Sequence, residues 1–176
     1  MLIGRNVNLG GGEPDPVENF LQRDRGSGHS AGMSFQDLPA DWPQRPITDP
    51  AIFTDAVDLL ASEADRRAGA IYVLLCEPDG RLAQPCVITD LDDTAYRNKA
   101  AVFAPFTHFP DLGLVVIIAR PGRAQTVDAD REWHEAAARV CRDAGMPLLA
   151  VAVATPRAIW RVDDQIDSAM TVTRSA

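Results

Sequence analysis

The sequence predicts an α/β fold: a single domain, in two or three layers, with a mixed β-sheet flanked by helices. Three observations lead there. Segments with apolar residues at helical three-four spacing alternate with short runs rich in Val, Ile and Leu, and a sheet covered by helices is the natural way to bury both kinds of face. Some of the short runs come in pairs joined by Pro-containing turns, the mark of hairpins. The stretch Gly113-Leu114-Val115-Val116-Ile117-Ile118-Ala119 reads as a buried strand that runs through Arg120-Pro121-Gly122 into a capped helix.

Each element has its own signal. Asp49 before Pro50 forms a helix start, and Phe53, Ala56, Val57, Leu60, Ala61 and Ala64 recur on one face, predicting a single amphipathic helix that ends near Arg67. Residues 70–76 and 82–89 form a hairpin around Glu77-Pro78-Asp79-Gly80-Arg81. Pro85 cannot donate to a ladder, so the second of these strands is expected at a sheet edge or bulged. The acidic Asp90, Asp92 and Asp93 offer N-caps for a helix over residues 95–104, stopped by Pro105. A strand over 114–119 and a loop over 120–126 follow. A helix starting at Val127 or Asp128 then runs to Ala144, with Trp133, Ala136, Ala137, Val140, Cys141 and Ala144 on its apolar face and Gly145 and Pro147 closing it. Residues 148–154 and 158–162 form a last hairpin around Thr155-Pro156-Arg157.

Composition narrows the class of protein. At 176 residues and 46% hydrophobic content the chain can bury one core, expected over residues 41–164. Flexible tails are expected at 1–40, rich in Gly, Pro and polar residues, and at 165–176; Phe35, Leu38 and Trp42 could pin the first tail to the domain. A net charge of −8 and a single lysine, Lys99, argue against nucleic-acid binding, which rests on clustered basic residues. Three widely spaced cysteines and no signal peptide or apolar span of membrane length lead to the expectation of a reduced, cytoplasmic protein away from the membrane.

In an open α/β fold, ligands collect beyond the carboxyl ends of the strands, where a helix N-terminus offers free N–H groups. Here that place is the 120–126 loop. Its strand and turn contain no His, Cys, Ser or carboxylate, so nothing in them names a reaction. Arg120 and Arg123 could hold a phosphate or carboxylate, with Thr126, Asp130 and His134 as further polar groups near the ligand. Asp128, Asp130 and Glu132 oppose this, because acidic first-turn residues offset the helix dipole and compete with an outside anion. His134 and Cys141 share a helix, with His108 in a separate connection, and none has the paired spacing of a zinc fold. The Asp90, Asp92 and Asp93 turn lacks the spacing of an EF-hand. Cys76 and Cys86 lie in strands without a predicted base, so no catalytic residue, metal or cofactor is assigned. Trp133 and Trp160 are expected at the core or its rim, where an exposed Trp160 would suit a protein partner.

The hairpin Ile71-Tyr72-Val73-Leu74-Leu75-Cys76-Glu77-Pro78-Asp79-Gly80-Arg81-Leu82, the strand-loop Val115 through Gly122, and Ala144-Gly145-Met146-Pro147-Leu148-Leu149 together resemble the JAB/MPN-like domain in its bacterial RadC-like branch, over residues 68–164. A cytidine-deaminase-like fold is the related alternative. The resemblance implies a strand-loop that carries His-x-His-Pro and then Ser-x-x-Asp, whose paired imidazoles and carboxylate would hold zinc and leave one position for an activated water. Aligned on Pro121, the histidine positions hold Ile118 and Arg120, while Asp128 and Arg131 fall near the Ser and Asp positions and Asp130 is one residue out of register. Ile has no lone pair and Arg stays protonated, so neither can ligate a metal. Glu77 lies in the hairpin turn, leaving the family's catalytic Glu without a counterpart. The expectation is a pseudoenzyme: a non-catalytic interaction or regulatory module. Its partner would be another protein, or a second copy joined through the Pro85 hairpin or residues 158–162, with the N-terminal tail as an added contact. The alternative is a binder or enzyme acting on an anionic small molecule at the 120–126 loop.

Overall fold

A computed structural model describes residues 38–162. Apart from residues 38–40, the expected tails lie outside the described residues, as does Phe35; Leu38 is half-buried and Trp42 buried. The elements run α1 (Phe53–Leu60), α2 (Glu63–Ala68), β1 (Ala70–Cys76), β2 (Leu82–Ile88), α3 (Asp93–Arg97), α4 (Lys99–Phe103), a 3-10 turn (Ala104–His108), β3 (Gly113–Ala119), α5 (Asp128–Ala144), β4 (Leu148–Ala154) and β5 (Ile159–Arg161).

The five strands form one mixed sheet in the order β2-β1-β3-β4-β5. β1 pairs antiparallel with both β2 and β3; β3 and β4 are parallel, joined across α5, and β5 returns antiparallel to β4. Every residue of β1 and β3 is buried, as in strands covered on both faces. On one face Ile71, Val73, Val116, Ile118, Val151 and Val153 pack with Trp133, Ala137 and Cys141 of α5 and Phe103 of α4. On the other, Tyr72 reaches Asp65 of α2, and Arg161 of β5 stacks 4.1 Å from the Phe53 ring of α1. Helices therefore cover both faces of the sheet, giving three layers.

Three expected elements differ in detail. The helix expected from Pro50 to Arg67 is two helices. Asp49 forms a turn instead of a helix cap, its carboxylate accepting from the Ala51 N–H at 2.9 Å and its carbonyl from Ile52 and Phe53. Ser62 then interrupts the run by accepting from the Asp65 N–H at 3.1 Å, because a serine side chain competes for the backbone and starts a helix of its own. The helix expected at 95–104 breaks at Asn98 (φ −128°, ψ 66°) into α3 and α4. The α-helical run ends at Phe103, just ahead of Pro105 as expected, and Pro105 sits in the first turn of the 3-10 segment that follows, where its missing N–H is not needed. The last strand is shorter than expected because Thr155 makes the turn, its Oγ1 accepting from the Ala158 N–H at 3.1 Å.

β2 lies at an edge, as Pro85 implies, and the register irregularity of the β1–β2 pair falls at Leu75/Cys76 instead of at the proline. The Gln84 side-chain amide donates to the Pro85 carbonyl at 3.0 Å. Pro85 thus offers a neighbouring strand no N–H, and its carbonyl already accepts one hydrogen bond, which together weaken edge-to-edge pairing there.

The three cysteines are free. Burial pushes the Cys76 thiol up to about 12 and Cys141 up to about 11, from an ordinary 9.0. Their pKa values are higher folded than unfolded, so the unfolded chain loses protons first. These thiols leave stability unchanged below about pH 9 and lower it as pH rises from there towards 12. Thermal unfolding against pH is expected to show that decline, less steeply in Cys76→Ala, with the raised Tyr72 hydroxyl adding to it at the alkaline end.

Candidate functional site

The carboxyl ends of β3 and β4 lie side by side, with Ala119 paired to Ala154 and the Arg120 N–H donating to the Ala154 carbonyl at 3.0 Å. The chain then turns through Gly122 (φ 108°) to α5. This is the position at which an α/β sheet presents ligands, and the protein fills it with its own side chains. Arg120 folds back onto Asp130, Nε to Oδ1 and Nη2 to Oδ2, both at 2.7 Å, in a bidentate ion pair. Nη2 also donates to the Gln125 carbonyl at 2.8 Å and Nη1 to the Pro121 carbonyl at 3.0 Å. Asp130 is fully buried, and its Oδ2 accepts the Val127 N–H at 2.9 Å, capping the helix. Trp160 of β5 closes the outside. Its ring centroid lies 5.8 Å from the Arg120 guanidinium carbon, and its Nε1–H donates to Thr126 Oγ1 at 2.9 Å.

Of the residues singled out in the sequence, the structure brings Arg120, Thr126 and Asp130 together, but as partners of one another and of Trp160. Four of the five Arg120 donors are engaged within the protein, and the Asp130 carboxylate has no exposed surface to offer a ligand. Arg123 stands exposed on the loop, and His134, half-buried, lies one helical turn beyond Asp130. Asp128 and Arg131 form a surface pair at 2.7 Å, and Ile118 is part of the core. Cys141 is buried and His108 exposed. Among the described residues, no three His, Cys, Asp or Glu side chains converge as a metal site would require.

The antiparallel pairing of β1 with β3 sets Ala70 beside Ala119, so the start of β1 and the end of β2 belong to the same end of the sheet. There the protein is open. A cleft of about 260 Å3 lies between the end of α2 and the loop after β2, lined by Asp65, Gly69, Thr89, Asp90, Leu91 and Tyr96. Asp65 is fixed within it. Its Oδ2 accepts the Ser62 hydroxyl at 2.8 Å and the Tyr72 hydroxyl at 2.5 Å, while no described residue donates to Oδ1. Tyr72 is buried, and that burial, with Asp65 beside it, raises its pKa, so the phenol stays a donor to the carboxylate. Asp90 has a positive φ of 55° and accepts from Thr89 Oγ1 at 3.3 Å; the helix cap in this run is Asp92 instead, accepting from the Ala95 N–H at 2.8 Å.

The chain matches no family model and no curated protein. The closed half of this sheet end is legible in the sequence, whereas the open half is not. The acidic run at 90–93 was the only signal of the cleft, because Asp65 and Tyr96 are brought beside Asp90 by the hairpin and by the break between α1 and α2.

Proposed function

We propose that this domain is a non-catalytic interaction or regulatory module on a JAB/MPN-like scaffold, a pseudoenzyme of the RadC-like type. The observation that carries the proposal is the Arg120–Asp130 pair. Where the resembled enzymes hold metal ligands, this chain has a core isoleucine at 118 and an arginine at 120 that is bound to a buried aspartate. The element order and the mixed sheet support the scaffold, and would equally suit the related cytidine-deaminase-like fold. A protein partner is the occupant that suits a module of this kind. The weakened pairing at Pro85 and Gln84 directs a second copy or a partner away from the β2 edge and towards β5 or the open cleft.

One observation favours a second reading, an anion binder at the 120–126 loop. Arg123 is exposed beside the start of α5, and no described residue pairs with its guanidinium. Calorimetric titration of the full chain with inorganic phosphate separates the two. The module reading expects only heats of dilution. Saturable binding that is lost in Arg123→Ala would replace it with the second reading.

A further inference from the structure

The two flanks of α5 are unequally covered. α4 and the end of α3 lie against one of them, where Phe103 and Tyr96 meet Trp133 edge-on and Lys99 pairs with Glu132. The opposite flank carries His134, Ala138, Cys141 and Gly145 at three-four spacing. Asp130, one turn before His134, reaches β5 through Arg120 and the Trp160 ring, so this flank is the one turned towards the β5 edge of the sheet. Among the described residues α5 packs chiefly on α4, the 3-10 turn, β3 and β4, with no α-helix opposite α4.

The chain leaves the sheet beside this flank. β5 runs antiparallel to β4, so its end heads for the amino end of β4, where Leu148 is half-buried against the core. Trp160 and Val162 both pack with the α5-face core, while Arg161 between them turns to Phe53 on the other face. Ile159, Trp160 and Arg161 are half-buried, as an edge strand should be, yet Val162 is fully buried and already helical. Burial thus deepens where the chain leaves the edge. From Val162 onward, Ile166, Ala169 and Met170 recur at positions i+4, i+7 and i+8, the spacing of one helix face, and Asp164, Asp167, Ser168 and Thr171 fall on the opposite side.

We propose that residues 163–170 of this chain dock along the His134–Gly145 flank of α5, with Ile166, Ala169 and Met170 set against Ala138, Cys141 and Leu148. The occupant is the chain's own segment because Val162 delivers it there covalently, on the buried side of the sheet. Its length fits. At the helical rise, Val162 to Met170 spans about 12 Å, against about 11 Å from Ala138 to Gly145. Ala138, Cys141 and Gly145 are small, so a neighbouring helix can approach closely. The proposal goes beyond the reading of the domain as a module and does not rest on it. It replaces the free tail expected from residue 165 with a covering element, and leaves the outer edge of β5, not its α5 face, open to a partner.

The test is methyl NOE spectroscopy on the full chain, with the Ile166 and Met170 methyls as reporters. The expected result is NOEs from both to Ala138 and Leu148, all within one chain when labelled and unlabelled protein are mixed. Ile166→Asp is expected to lower the melting temperature by several degrees and to shift the amide signals of Ala138, Cys141 and Gly145, whereas Asp167→Ala leaves both unchanged. NOEs between chains would overturn the proposal by making a second copy the occupant. Absence of NOEs to α5, shifts from Ile166→Asp confined to its neighbours in sequence, or an equal effect of Asp167→Ala would overturn it as well. The NOEs are read on the unaltered protein, so the test does not depend on any variant folding.

Discussion

Replacing Arg120 with methionine is expected to cost about 3–5 kcal/mol of unfolding free energy, because it strands a buried carboxylate without its counter-ion. Asp130 has no side-chain exposure, whereas Arg120 retains 16%. The two halves of the pair are therefore unequal. Asp130→Asn leaves an arginine that can still reach water and an amide that can still accept from Val127, so its cost is expected to be the smaller. Joint removal, Arg120→Met with Asp130→Leu, is expected to cost less than the sum of the single changes, since no charge is left buried. Urea unfolding checks all three variants through the midpoint at constant slope. A loss in Arg120→Met no greater than that of an exposed ion pair, under about 1 kcal/mol, would show that the pair does not hold the loop closed.

The second large effect is expected at Trp133. Its side chain is buried on α5 and receives the α3–α4 segment. The Tyr96 ring meets it edge-on at 6.0 Å, Phe103 at 5.8 Å, and the Lys99 ammonium lies 5.4 Å from its centroid. Lys99 is further tied to α5 by Glu132 at 2.9 Å. Trp133→Ala is expected to cost about 3–5 kcal/mol through the cavity it leaves. Native-state hydrogen exchange is expected to show where the loss falls: amides of Lys99–Phe103 should lose protection well before those of β1 and β3, which keep their strand pairings, their opposite face and the rest of the α5 contact. Uniform loss across all three elements would instead make Trp133 a support of the whole core.

Much of the fold was legible because its signals are local. The period of α5, the apolar runs of β1, β3 and β4, and the lone proline of β2 each act within a few residues, and each lies where its pattern places it. The breaks were harder to see. Ser62 and Asn98 are small polar residues inside otherwise helical runs, and whether they point to solvent or compete for the backbone depends on the surrounding packing. The site was half legible for the same reason. Arg120 and Asp130 lie ten residues apart in one strand-loop-helix unit, so both were visible as candidates, although a possible grip on an outside anion is in the fold a grip on each other. The cleft joins α2, the end of β2 and α3, three elements brought together only by the sheet.

The end of β3, where a catalytic or ligand site would lie, is closed by the protein's own ion pair. The most direct test is thermal unfolding of the full chain in rising concentrations of zinc and of inorganic phosphate, against sodium chloride at matched ionic strength. The expected result is a melting temperature that follows ionic strength alone, since neither Ile118 nor the engaged Arg120 can answer to either ion. A saturable rise with either ion, abolished by Arg123→Ala for phosphate or by Asp130→Asn for zinc, would contradict it and return the end of β3 to the status of a working site.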